Sequence, residues 1–439
     1  MSDSAQLGTR KLLTVLGVTF GLAVAVGNTI GAGILRTPGT IASHLQEFWP
    51  FISVWLIGGV YAILGANALA ELGTMVPRSG GQYVFVRRGL GEYPGFIVGW
   101  SDWISTCGST AVMAIVIGEY SVGLFPELRA PKFVALLAVV GLTLVQWLGV
   151  KWAGWTQNAT SLIKAIVFLV FIAACFILGS RNPLEPTALT PEREISLLLA
   201  FILALQAVIY TYDGWSAPIY FSEEMRDPGR SIPRAMFGGL VIVIVIYVLL
   251  NIAFVRVVPI PTLAGQDLAA GTVAQHLFGI YGDRVLRGIM VLGLISAVNA
   301  NVLMAPRVLY AMSSDRLFWR GGTEVNEGGT PDVSLLISSV VAGAFIVSGT
   351  FEQVMAKMAF FFVANYTLSF TSLFVLRRKE PDTPRPYRAW GHPVTTAIAL
   401  IASVAFLVAA IFGDLVNSLW SIGLLFLSFP AYLLLRRTR

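Results

Sequence analysis

Runs of about twenty apolar residues alternate with short polar connectors along almost the whole chain. A spanning α-helix needs ~20 predominantly apolar residues. Runs at roughly 12–35, 48–70, 94–122, 132–150, 157–179, 197–221, 235–257, 284–312, 333–349, 352–376, 393–413 and 415–435 meet or approach that length. The pattern predicts an all-α polytopic membrane protein with about twelve transmembrane helices and little chain left for a soluble domain. Two of the runs are interrupted. In the first, Gly27-Asn28-Thr29-Ile30-Gly31-Ala32-Gly33-Ile34-Leu35 places three glycines at spacing four and two. In the sixth, Tyr210-Thr211-Tyr212-Asp213-Gly214-Trp215-Ser216-Ala217-Pro218 puts an acid, a glycine and a proline within six residues.

Each helical glycine costs on the order of 1 kcal/mol relative to alanine, so the glycines of the first run are suited to unwinding it. Unpaired backbone in hydrocarbon costs several kcal/mol per group, and a broken membrane helix is tolerated only when buried in protein or lining a watery cavity. Such a break exposes free carbonyls at the end of one half-helix. It exposes free N–H groups, with the positive pole of the dipole, at the start of the next. That pair of poles suits a zwitterion. The competing reading is a glycine face for close helix packing, since Gly27 and Gly31 also fit a Gly-x-x-x-Gly contact pattern.

Two broken runs five spans apart point to an inverted repeat, with a substrate site at the midplane where the breaks face each other. The corresponding organisation is a tail at 1–11, a first repeat at 12–180, a second repeat at 195–377, two further helices within 393–435 and a tail at 436–439. The stretch from Pro77 to Glu92 has the composition of a short interfacial helix or connector.

Polar residues inside the other runs add candidates. Lys164 lies about seven residues inside the fifth predicted span, at a charge cost of roughly 2.5–3.5 kcal/mol at the bilayer centre. It either snorkels to the near surface or has a task, such as replacing a bound cation or carrying a proton. Ser296 and Asn299 share one face of the eighth span and Asn301 lies on another, for interhelical hydrogen bonding or substrate contact. Asp102, Ser105 and Ser109 in the third span carry the same ambiguity, with Asp102 near the cytoplasmic mouth and Glu119 toward the outer end.

Composition agrees with the pattern: 439 residues, 56% of them hydrophobic and 12% charged, with a mean hydropathy of +0.75. The net charge of +6 is no nucleic-acid signal, because the basic residues sit in short connectors where they set orientation. With both termini cytoplasmic, about twenty of the 30 Lys and Arg fall inside and about seven outside, which predicts an N-in, C-in multi-pass protein of the cell (plasma or inner) membrane. The first eleven residues lack the features of a cleaved signal peptide. Cys107 and Cys175 lie within apolar runs and imply no extracellular disulfide framework.

The motifs carry a resemblance. Thr29-Ile30-Gly31-Ala32-Gly33-Ile34, Glu71-Leu72-Gly73, Pro77-Arg78-Ser79-Gly80-Gly81-Gln82-Tyr83 and Tyr212-Asp213-Gly214-Trp215 resemble the amino acid–polyamine–organocation superfamily. So do Glu223-Glu224-Met225-Arg226-Asp227-Pro228, Ile232-Pro233-Arg234-Ala235, Pro306-Arg307-Val308-Leu309-Tyr310-Ala311-Met312 and Arg385-Pro386-Tyr387-Arg388. In order and spacing they are most similar to bacterial relatives of the L-type amino acid transporters, including serine/threonine exchangers. The resemblance implies the leucine-transporter-type fold, two inverted five-helix repeats with broken helices 1 and 6, plus two C-terminal helices. It implies a substrate carboxylate on the N–H groups of Ala32, Gly33 and Ile34, and an α-amino group near the carbonyls of Thr29, Tyr210 and Asp213. Lys164 falls where sodium-independent members carry a lysine in place of the sodium site. The candidate substrate site is therefore Thr29, Ile30, Gly31, Ala32, Gly33 and Ile34 at the first break, Tyr210, Tyr212, Asp213 and Gly214 at the second, and Asn301. The light chains of heteromeric animal transporters carry a linking cysteine between spans three and four. The loop from Gly123 to Pro131 has none, so no disulfide-linked heavy subunit is expected.

The expected function is sodium-independent amino acid transport by alternating access, with exchange of neutral L-amino acids foremost. Proton-coupled symport, or carriage of cationic amino acids or polyamines, is the alternative. Asp213 invites the cationic reading, but an acid at a helix break can also bond backbone N–H groups. An enzyme is disfavoured: His44, His276 and His392 lie at or beyond span ends without metal-ligand spacing, and no Gly-x-Ser-x-Gly element occurs. A channel would require a continuous pore, and a sensor would require loops long enough for a signalling domain. The sequence specifies no cofactor, no metal, no nucleic-acid partner and no oligomeric state; the partners it implies are the lipid bilayer and a small amino acid.

Overall fold

The computed structural model describes residues 11–179, 196–349, 351–413 and 415–437, which fold into α-helices and short 3-10 turns with one isolated bridge between Leu16 and Met225. Most of the predicted N-terminal tail, the connector with Arg181 and Arg193, and the last two residues lie outside this description. The first predicted span is two helices, α1 (Val18–Thr29) and α2 (Gly33–His44), meeting at a 45° bend. Then come α3 (Phe48–Met75), α4 (Gln82–Leu90), α5 (Glu92–Leu124), α6 (Pro131–Trp147) and α7 (Val150–Leu178). Helix α8 (Leu197–Tyr212) stops at the second break and resumes as a 3-10 turn, Ala217–Phe221. After α9 (Pro228–Val257), the short α10 (Ile260–Leu263) and α11 (Ala269–Phe278) lead into α12 (Gly282–Ser314). Helices α13 (Asp332–Ser348), α14 (Phe351–Lys379), α15 (Val394–Gly413) and α16 (Leu415–Arg437) complete the chain.

Among the described residues, eight helices are long and apolar enough to cross a membrane, or nine with the bent pair as one span. Three shorter apolar helices, Pro131–Trp147, Asp332–Ser348 and Ser421–Leu435, account for the other predicted spans. Leu137, Val140 and Leu144 on α6 and Leu162, Ile166, Leu169 and Val170 on α7 are exposed. That is the outward face of helices whose solvent is hydrocarbon.

The packing has a two-fold pattern. Helices α5 and α12 form the central pair; α7 packs on α12 as α14 packs on α5, and α1 packs on α9 as α8 packs on α3. This exchange of the first five spans for the next five is the relation expected of a five-plus-five repeat.

Several boundaries differ from the sequence reading: the first span runs on to His44 rather than 35, and α9 starts at Pro228 rather than 235. Helix α7 begins at Val150 rather than near 157, directly after Gly149 at φ +124°, a conformation that glycine adopts without a steric penalty. Lys151, Gly154 and Thr156 gave its first two turns the look of a connector, while the polar Gln157 and Ser161 lie inside the helix on either reading. Both are buried against other helices, which puts Lys164 fourteen residues inside its helix. The stretch before the third span does form a helix, α4, but its Tyr83, Val84 and Phe85 are buried and it packs on α5 and α14. It is a packed connector, not a helix lying in lipid.

Ion pairs lock the end of the molecule that carries α4. Arg307 and Glu224, both fully buried, form a two-pronged pair with N···O distances of 3.0 and 2.9 Å. Arg78, Arg87 and the Tyr83 hydroxyl converge on Asp315, and Glu71 holds Arg377, Arg385 and the Ala389 N–H. Leu16 accepts from the Arg226 N–H at 2.7 Å and donates to the Glu224 carbonyl at 2.9 Å. Breaking a buried pair by removing one partner costs about 3–5 kcal/mol because the other charge is left unpaired. Glu224→Ala is therefore expected to lower the melting temperature of the purified protein markedly, and the paired change Glu224→Leu with Arg307→Met to recover much of it. Equal melting of the single variant and the parent would show that the pair contributes no net stability.

Candidate functional site

The two breaks sit against each other at the centre of the molecule. A methyl group on Gly214, where φ is +115°, would stand 2.8 Å from the Thr29 nitrogen and 2.9 Å from the Asn28 carbonyl carbon. Only a residue without Cβ allows that approach. Tyr247 of α9 joins the breaks from behind. Its hydroxyl lies 2.8 Å from the Thr29 carbonyl and 3.0 Å from the Thr211 carbonyl, and the Thr37 and Thr211 hydroxyls are 2.7 Å apart.

The carbonyl pole of the first break is met by Lys164. Its side chain is fully buried, and its ammonium donates to the Gly27 carbonyl at 2.7 Å and also to the Ile30 carbonyl. Burial this deep, mid-helix, excludes snorkelling. Beside it, Gln157 and Ser161 both donate to the Ala23 carbonyl, at 3.2 and 2.7 Å. The N–H groups that open α2, at Ala32, Gly33 and Ile34, precede any intrahelical acceptor and carry the positive pole of that helix.

The glycines divide the two readings of the sequence between them. A methyl on Gly27 would come within 2.3 Å of the Gln157 amide nitrogen and 2.4 Å of the Ser161 hydroxyl, whereas one on Gly31 would meet only Met113 Cε at 3.6 Å. Gly27 is the close-packing position and Gly31 faces open space.

That space is a cavity of about 630 Å³ between the two breaks and helices α5, α12 and α14. At one end its wall is the exposed Thr40, Ser43, Gln266 and Asp267; at the other it is the buried Gln82, Asp102 and Tyr220. The cavity is therefore open beyond the end of α2 and closed toward α4. Of the predicted residues, Thr29, Gly31, Ala32, Gly33, Tyr210, Asp213, Gly214 and Asn301 are on its wall. Ile30 and Ile34 are buried behind it and shape the break by packing. Tyr212 also lies away from the cavity, in an aromatic cluster with Trp55 and Tyr247 at centroid distances of 6.3 and 5.0 Å. The Thr29 carbonyl accepts from the Gly31 N–H and shares the single Tyr247 hydroxyl proton with the Thr211 carbonyl.

The polar residues of α12 have separate roles. Asn299 donates to Gln157 at 2.8 Å and receives Gln146, which makes it an interhelical tie. Ser296 bonds its own helix at Gly293. Asn301 faces the cavity beside Met113, with its amide nitrogen 3.7 Å from the sulfur. The sequence reading missed Tyr247, Tyr366 and Arg36. Tyr366 donates to Asp213 at 2.6 Å and stacks on Trp215, and Arg36 lines the cavity one turn into α2. Tyr247 was legible in principle as the one residue with a polar atom in the aliphatic run from Val241 to Leu250. Among the described residues, no group of three metal-ligating side chains is assembled, and the site offers backbone poles, carboxylates and hydroxyls for binding a small polar molecule.

The chain matches the family model described as amino acid permease over residues 11–429. It is 27% identical to the serine/threonine exchanger SteT of Bacillus subtilis (strain 168) over 95% of each chain. It is 26% identical to the b(0,+)-type amino acid transporter 1 of Mus musculus, over 93% of this chain and 85% of that one. With the large neutral amino acids transporter small subunit 2 of Rattus norvegicus the identity is 27%, over 92% and 76%. These relatives move amino acids rather than transform them. The central broken-helix cavity and a family match across nearly the whole chain lead to one conclusion: this chain belongs to the amino acid permease family of multi-pass membrane transporters and is not an enzyme.

Proposed function

We propose that the protein is a sodium-independent exchanger of neutral L-amino acids that works by alternating access in the cell membrane, with both termini in the cytoplasm. The observation that carries this reading is the division of the first break into two poles. Its carbonyl pole is taken by the Lys164 ammonium, while its N–H pole opens into the cavity. A substrate carboxylate docks on Ala32, Gly33 and Ile34, where hydrogen bonds and the α2 dipole act together. The α-ammonium then falls to the carbonyls near Thr29, Tyr210 and Asp213. A neutral side chain lies along Val112, Met113, Met304 and Phe362 of the wall.

A fixed ammonium on the carbonyls of Gly27 and Ile30 leaves no vacancy there for a sodium ion, which supports sodium independence. With the basic connectors inside, the cavity opens outward and the ion pairs around Glu224 and Asp315 form the closed inner side. Exchange requires that only the occupied protein changes state, and a substrate drives that change only through its differential affinity for the two states. The Gly123 to Pro131 loop without cysteine supports a transporter that works without a disulfide-linked heavy subunit. Residues 12–180 and 195–377 serve as the two inverted repeats, and occupancy releases two helix bundles to rock about the fixed site.

Three measurements test the reading. Purified protein in liposomes is expected to take up labelled neutral amino acid only when the vesicles are preloaded with unlabelled amino acid, equally well in sodium and choline buffers. Uptake into empty vesicles that follows a proton gradient, or a strict sodium requirement, would overturn it. Gly33→Val is expected to weaken substrate binding by roughly tenfold or more, the equivalent of one charge-assisted hydrogen bond at about 1.5–3 kcal/mol. Normal binding in that variant would remove the carboxylate assignment. Lys164→Ala is expected to slow exchange by a similar factor, since two carbonyls lose a charged donor; parental flux would reduce the lysine to packing.

A further inference from the structure

Two carboxamides on the cavity wall have sulfur, not oxygen, as their acceptor. Asn28, in the first break, donates its amide N–H to Met304 Sδ, and Asn301 of α12 donates to Met113 Sδ of α5, each at 3.7 Å. All four residues line the cavity. A thioether is a weak acceptor, and among the described residues no oxygen is bonded to either amide nitrogen. Asn299, two positions from Asn301, provides the contrast. It donates to the Gln157 carboxamide oxygen at 2.8 Å and so ties two helices together, whereas the buried Asn301 reaches only a side chain that can swing.

Methionine is unbranched, with three rotatable bonds, so a contact at its sulfur selects one of several places for its terminal methyl. Here that place is over the first break. Met113 Cε lies 3.6 Å from where a methyl on Gly31 would stand, an ordinary van der Waals separation. Gly31 immediately precedes Ala32, Gly33 and Ile34, so the Met113 methyl stands next to the N–H pole of α2.

We propose that Asn301 is a positioning residue for substrate size: it holds the Met113 thioether as a movable stop that limits the side chain of a bound neutral amino acid. The proposal rests on the head-group docking given above. A small side chain fits beneath the stop and leaves the N–H···S contact intact. A bulky one displaces the Met113 methyl and breaks that contact, which offsets part of its binding. Asn301 senses the substrate only through Met113. The pair of Asn28 and Met304 repeats the arrangement at the first break, so both thioethers that border the cavity are held by a carboxamide from a neighbouring helix.

The experiment measures ligand-induced stabilisation of the purified full-length protein by L-alanine and by L-phenylalanine and takes the ratio of the two affinities, so that each variant is its own reference. Met113→Ala removes the stop and is expected to raise the phenylalanine-to-alanine ratio about tenfold or more, the discrimination that a methylene-sized change in an apolar pocket produces. Asn301→Leu, close in size but without a donor, is expected to raise the ratio about threefold, the scale of a weak hydrogen bond. In the Met113→Ala background, Asn301→Leu is expected to change the ratio no further, because two residues that act through one contact are not additive. An undiminished effect of Asn301→Leu in that background would place Asn301 against the substrate itself and overturn the proposal. An unchanged ratio in the single Asn301→Leu protein would overturn it as well. If Met113→Ala fails to fold, Met113→Leu, which lacks the sulfur and keeps most of the volume, provides the same background. Alanine and phenylalanine binding that both persist in the Gly33→Val protein would refute the head-group docking, while the Asn301 ratios still decide the stop. Stabilisation of the parent by neither amino acid would overturn the docking and the stop together.

Discussion

The contact between the Lys164 ammonium and the carbonyls of Gly27 and Ile30 is the constraint on which the centre of this molecule depends. A helix broken in the middle of a membrane exposes backbone groups that neither lipid nor a neighbouring apolar side chain can satisfy. Here the carbonyl half of that deficit is met by a protein cation and Tyr247, while the N–H half faces the cavity. The asymmetry is what leaves one pole of the break able to take a ligand. Were both poles satisfied internally, the glycines would only weaken a helix.

The second break depends on the first. Gly214 lies so close to Asn28 and Thr29 that the two interruptions form one continuous region of irregular backbone, buttressed by a single tyrosine hydroxyl and a pair of threonines. Around it the central pair α5 and α12 provides the opposite wall. Closure toward α4 is then a matter of buried ion pairs, with Glu224 tied by a backbone bridge to the segment that precedes α1. The N–H pole of α2, the buried end of the cavity and the ion-pair cluster thus follow one another in order.

Much of this was legible in the sequence, for physical reasons. Apolar runs of fixed length determine the spans, because the bilayer tolerates no other element. Glycines and an acid inside such runs are too costly to be accidental, so Gly31, Gly33, Asp213 and Gly214 stood out. Lys164 stood out for the same reason. Residues that act through side chains of ordinary composition did not. Tyr212 belongs to the same four-residue motif as Asp213, yet it points into an aromatic cluster, because rotation about the helix axis at a break cannot be read from spacing. Asn299 and Asn301 differ by two positions and serve different ends, one tying helices and one facing the cavity. The start of α7 was hidden because a charge, a glycine and a hydroxyl, Lys151, Gly154 and Thr156, make its first two turns look like a connector.

The cavity is made of two materials. Its upper wall, where Ala32, Gly33 and Ile34 begin α2, is peptide backbone, whose N–H groups are present whatever side chains line the rest. Its lower wall, along α5, α12 and α14, is side chain, and each position there can change alone. A lineage built on this scaffold can therefore change one wall of its cavity while keeping the other fixed. Diversity of cargo needs no redesign of the fold, only turnover at a few wall positions.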